Sequence, residues 1–266
     1  MSDDESMVFF FSLGMGVLFW MRWWYQGLAV TWIGQRSRWR YWLLAAPILC
    51  GVLLWYVLRY LASFDVRDSA TYQLFYLAMG AAWVAATIRM TTLFGISFRD
   101  DALERRNPAA AAAIAGTMVG LTACFAGGNI GDGPGWWVVV YCGALATGTL
   151  VIFWALLERL GRLAEAITVD RDLATGIRLG AFLAAAGLML GRAVAGDWHS
   201  VGATNVDFVR LAWPAALLAA LAAVINVFCH ASVERPRPSP AACGVAPAML
   251  LVGMACAWLV LTGLPQ

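Results

Sequence analysis

The chain has 266 residues, 62% of them hydrophobic and only 13% charged, with a mean hydropathy of +0.72. That composition excludes a water-soluble fold. Its 18 basic residues are all arginine and stand against 16 acidic ones, a formal charge of +2, which argues against a nucleic-acid binder, whose basic patch dominates its charge.

A helix crossing the hydrocarbon core needs roughly 20 mostly apolar residues. Eight stretches qualify, at 7–33, 41–61, 72–97, 108–127, 136–157, 173–195, 208–229 and 242–264. None shows the alternation of a barrel strand, so the expected fold is all-α: a polytopic transmembrane helical bundle. The first stretch lacks a basic start and a small-residue cleavage site, so it reads as a span and not as a removable signal peptide.

Arginine is concentrated in the odd connectors, at Arg36, Arg38 and Arg40, then Arg99, Arg105 and Arg106, then Arg159, Arg162 and Arg171, and finally Arg235 and Arg237. The positive-inside rule makes these cytoplasmic and puts both termini on the far side, where the tail carries Asp3, Asp4 and Glu5. Tryptophans near span ends, among them Trp20, Trp23, Trp24, Trp39, Trp42, Trp136, Trp137 and Trp198, read as an aromatic belt at headgroup level.

The fourth and sixth spans share a pattern of small residues. Ala112, Gly116, Gly120, Ala123 and Gly127 become Gly176, Gly180, Ala184, Gly187 and Gly191 when 64 is added to each number. Their spacing keeps all five on one side of a helix, a groove of the kind that lets backbones approach closely in lipid. Gly116, Gly120, Gly127, Gly176, Gly180, Gly187 and Gly191 are therefore the candidate packing positions. Each grooved span is followed by Gly-Asp and then Trp: Gly131, Asp132 and Trp136, then Gly196, Asp197 and Trp198. The pattern predicts a helical hairpin duplicated in parallel, although the fifth and seventh spans match each other poorly. The expected organisation is an N-terminal region of three spans (1–98), two hairpin repeats (99–165 and 166–235) and a last span (236–266).

The segments Glu104-Arg105-Arg106-Asn107-Pro108-Ala109-Ala110, Ala113-Ile114-Ala115-Gly116 and Asp170-Arg171-Asp172-Leu173-Ala174-Thr175-Gly176-Ile177, with Gly180, resemble the paired hairpins of the bacterial inner-membrane family catalogued as domain of unknown function 350. The resemblance covers about 98–228 and leaves the first three spans outside. It implies location and architecture, and it carries no catalytic residue.

Elsewhere, chemistry is sparse. His199 and His230 sit at opposite ends of the seventh span and cannot share one haem. The six cysteines form no Cys-x-x-Cys pair; Cys124 and Cys142 flank one outer connector, Cys229 and Cys243 the last cytoplasmic one. The glycine-rich connector 127–135 lacks the Gly-Lys-Ser/Thr ending of a phosphate loop and reads as a tight outer turn, with Asp132 placed to cap the fifth span.

Arg22, Arg89, Arg178, Arg192 and Arg210 interrupt apolar stretches, and intramembrane charge is a functional candidate. Arg178 and Arg192 lie near opposite ends of the sixth span, facing away from its groove, and can snorkel; Arg22 and Arg89 are deeper, with Asp65, Asp68 or Asn226 as candidate partners. Asp132 and Asp197 head a set of outer-side acids.

No cofactor or metal set is expected, and no acid, base or nucleophile constellation points to an enzyme. The sequence favours a non-enzymatic structural or assembly subunit of a membrane complex, packing through its glycine grooves with copies of itself or other membrane subunits and in contact with membrane lipids, in the bacterial inner membrane. The alternative is a permeation protein in which Arg22, Arg89, Arg178, Asp132 and Asp197 set selectivity around the paired hairpins.

Overall fold

In lipid a chain this apolar must satisfy its backbone internally. The computed structural model describes residues 1–29, 39–229, 239–263 and 265, and in it eight helices are long and apolar enough to cross a membrane. In chain order the helices are α1 (Asp3–Ala29), α2 (Trp39–Tyr60), the short α3 (Phe64–Arg67), α4 (Ala70–Thr87), the short α5 (Met90–Leu93), α6 (Pro108–Gly127), α7 (Trp136–Gly161), the short α8 (Leu163–Thr168), α9 (Leu173–Val194), α10 (Val201–Cys229) and α11 (Ala246–Thr262). Two π-helical turns, Phe98–Glu104 and Pro240–Val245, lead into α6 and α11.

Each expected span has its helix, with local differences that have causes. The third stops short of 97: α4 yields at Ile88, and the extra turn of α5 ends before Gly95, whose φ of +81° suits a residue without a Cβ. The seventh starts at Val201 instead of 208, because Ser200 Oγ accepts the Ala203 amide at 3.1 Å and stabilises a polar first turn. Pro47 and Pro214 lie inside α2 and α10 without ending them.

The core is built around α6 and α9. In their most apolar stretches 78% and 72% of residues are buried, against 22% for α1, 28% for α10 and 17% for the last span. The outer helices turn large apolar side chains such as Phe10, Leu18, Val227, Val260 and Leu261 outward, as lipid-facing helices do.

The turns that start α6 and α9 are alike. Arg106 and Arg171 adopt left-handed φ of +53° and +55°, and the next residue caps the helix. Asn107 Oδ1 accepts the amides of Ala109 (2.9 Å) and Ala110 (3.4 Å); the Asp172 carboxylate accepts those of Ala174 (3.0 Å) and Thr175 (3.2 Å). The turns are tied together, since Arg171 donates to the carbonyls of Arg105 (2.8 Å) and Arg106 (3.1 Å), and Asn107 Nδ2 donates to Ile167 O (2.6 Å).

Not all of the tryptophans form a belt. Trp20 and Trp23 are buried, and the three indoles of this run join helices: Trp20 donates to Ala81 O (3.1 Å), Trp23 to Leu43 O (3.2 Å) and Trp24 to Leu44 O (3.0 Å). An indole inside a bundle still needs an acceptor, and main-chain carbonyls of α2 and α4 supply it. Trp39, Trp42 and Trp137 are exposed, as a belt requires.

Candidate functional site

The seven candidate packing glycines lie in one seam. A Cβ added to Gly116 or Gly127 would strike the main chain of Gly180 or Gly191, and one on Gly120 would strike Leu183 O. Reciprocally, Gly176, Gly180, Gly187 and Gly191 face the main chain of Ala109, Ala112, Gly120 and Ala123. Contacts at a near-constant sequence offset from one end to the other mean that α6 and α9 run parallel. The grooves therefore fill each other within one chain. The faces meet at offsets between 63 and 68, while the caps Asn107 and Asp172 and the loop glycines Gly131 and Gly196 recur at 65.

Sequence reasoning placed Arg178 and Arg192 away from this groove, and there they strap α11 to α9. Arg178 does not snorkel: it is buried, donating to Thr175 Oγ1 (2.8 Å), Asn226 Oδ1 (3.1 Å) and the carbonyl of Cys243. Arg192, at the other end of α9, donates to Gly263 O (2.5 Å). Asn226 is thus the partner of Arg178 and not of Arg22 or Arg89. Its amide lies 48 residues away in sequence, and the Cys243 acceptor is a backbone atom, so no side-chain pattern announces this network.

Arg22 and Arg89 border a cavity of about 360 Å³ between α1, the end of α4 and the turn at Phe98. Neither meets Asp65 or Asp68, which lie at the opposite end of α4. Arg89 lies over the Phe19 ring, 5.2 Å from its centroid. Arg210 is exposed, 3.9 Å from Asp207.

At the other end, Asp132 and Asp197 share an acidic vestibule of about 310 Å³ with Glu5, Asp65 and Asp207, beside Tyr72 and Tyr76. The connectors that follow α6 and α9 lock together there: Asp132 N donates to Asp197 Oδ1, Trp198 N to Asp132 O and Gly196 N to Ile130 O, each at 2.8 Å. Asp132 does not cap α7, whose N-cap is Gly135 with no side-chain bond; the Asp132 main chain is instead held by the second connector. Tyr72 Oη donates to Glu5 Oε2 (3.3 Å), bringing the N-terminal tail to the vestibule.

All six cysteines are free, and Cys124 Sγ points to Gly187 O (3.8 Å). Among the described residues no group of three or more His, Cys, Asp or Glu side chains could hold a metal ion. His199 is exposed; His230, Arg36, Arg38, Arg235 and Arg237 lie outside the described residues.

These features define a multi-pass α-helical membrane protein built on a parallel glycine seam. The chain belongs to the family described as Domain of Unknown Function (DUF350), whose match covers residues 41–194, more than half of it. The match starts and ends earlier than the resemblance in the sequence, including α2 and α4 and leaving out α10. α2 and α4 both lie against α6, with Leu54, Met79 and Phe125 in one core cluster. No curated protein and no solved structure matches the chain.

Proposed function

We propose that the protein is a non-enzymatic scaffold of the bacterial inner membrane, a structural or assembly subunit whose dense centre fixes the positions of its two polar ends. The seam is the observation that carries this reading: main chain meets main chain along the α6–α9 pair, where a pathway between the hairpins would need space and polar lining. The same seam changes how assembly with other subunits is pictured. With the glycine grooves occupied inside the chain, copies or partner subunits would meet the lipid-facing sides of α1, α10 or α11. The arginine-rich end would face the cytoplasm by the positive-inside rule.

The test is extraction of the tagged protein from its native membrane in mild detergent, with mass spectrometry of the intact assembly. A stoichiometric companion or a defined homo-oligomer supports the subunit reading, and a lone monomer counts against it. The acidic vestibule gives permeation a specific foothold as a second reading. Cation flux into protein-containing liposomes, lost in the Asp132→Asn and Asp197→Asn variants, would favour it over the scaffold.

A further inference from the structure

The cavity between α1 and the end of α4 is lined by Arg22, Arg89 and Arg99, together with Gln26 and Thr92, and by no carboxylate among the described residues. Nearby acids are engaged elsewhere. Glu104 pairs with Arg99 at 2.9 Å; Asp101 accepts from Ser97 N (2.8 Å) and pairs with Arg105 (3.3 Å); Asp100 accepts from Ser97 Oγ (3.0 Å). Arg22 and Arg89 have no ion-pair partner among the described residues.

The depth of the cavity matters as much as its charge. At 1.5 Å per residue the 27 residues of α1 span about 40 Å, longer than the ~30 Å hydrocarbon core. Arg22, exposed and about 10 Å short of the end of α1, can snorkel toward the headgroups at the arginine-rich end of the bundle. Two unpaired guanidiniums at that level, beside a cavity of about 360 Å³, form a receptor for an anion, and guanidinium forks match phosphate oxygens two at a time. That volume falls within the ~300–1,000 Å³ range of small-molecule sites.

We propose that this cavity binds a phosphate group of net negative charge, presented by an anionic phospholipid headgroup or by free phosphate. Arg22 and Arg89 clamp its oxygens, Arg99 stands at the rim held by Glu104, and Gln26 and Thr92 face the remainder of the ligand. Basic pockets between helices at this level are a recurrent means of holding acidic lipids.

The experiment compares full-length protein in nanodiscs of phosphatidylcholine containing a small fraction of phosphatidylglycerol, with retained lipid counted by native mass spectrometry after transfer to detergent. Wild type should retain phosphatidylglycerol in preference to phosphatidylcholine, and Arg22→Gln with Arg89→Gln should weaken that retention about tenfold or more. Arg210→Gln, at the acidic end, should leave it unchanged. Thr92→Trp keeps both arginines, fills the cavity from an exposed position, and should give the same loss, which decides the matter if the double variant fails to fold. Excess inorganic phosphate separates the sources: displacement identifies a free-phosphate site, and retention against it a lipid site. Equal retention of the two lipids by wild type with no inorganic phosphate bound, or undiminished phosphatidylglycerol in the folded variants, overturns the proposal.

Discussion

Two joints in this bundle hold helices together by opposite means. In the α6–α9 seam, glycines let backbones touch, so attraction comes from many close van der Waals contacts of main chain on main chain. In the joint of α1 with α2 and α4, tryptophans stand between the helices, and three indole N–H groups reach carbonyls at 3.0–3.2 Å. Lipid offers no hydrophobic drive for either joint. The first is intolerant of volume and indifferent to polarity; the second is directional and has side chains that can rearrange.

Substitutions can break that contrast in order of size. Gly116→Leu with Gly180→Leu should have the largest effect: each inserts a side chain into facing main chain at a cost of ~1–3 kcal/mol or more, enough together to abolish a monodisperse bundle in size-exclusion chromatography. Undiminished folding would show that the helices do not touch. Arg178→Met, which strands Asn226 Oδ1 and the Cys243 carbonyl, should cost about 2–4 kcal/mol, read as a lower thermal midpoint by tryptophan fluorescence. Asn107→Ala removes a helix cap and the bond to Ile167 O, for about 1–2 kcal/mol in the same assay.

Trp20→Phe tests the other joint. It deletes one indole bond while keeping most of the ring, and should cost only about 0.6 kcal/mol. A loss as large as that of the seam variants would erase the distinction between the joints. Gly253→Ala is the smallest: its Cβ meets nothing within 4 Å, so an unchanged or slightly raised midpoint is expected.

The spans were legible in the sequence because length and hydropathy suffice to mark a helix that crosses lipid. The grooves were legible too, since small residues at helical spacing have few other uses. What occupies a groove was not, because the spacing on one helix says nothing about its neighbour. The aromatic residues misled for a related reason: an indole suits a headgroup or a buried carbonyl equally well, and only the carbonyls of Leu43 and Ala81 decide between them. Arg178 was visible as a charge in a span, while its anchorage depended on a main-chain oxygen that no sequence motif encodes.

The parallel seam has a further corollary. The main chain of Gly180 occupies the space a Gly116 side chain would need, and that of Ala112 the space Gly180 would need, so neither position can enlarge unless the facing helix withdraws. A chain bearing a single such hairpin could restore the same contact only by pairing with its twin about an axis normal to the membrane, a concentration-dependent association that one chain carrying both helices makes permanent.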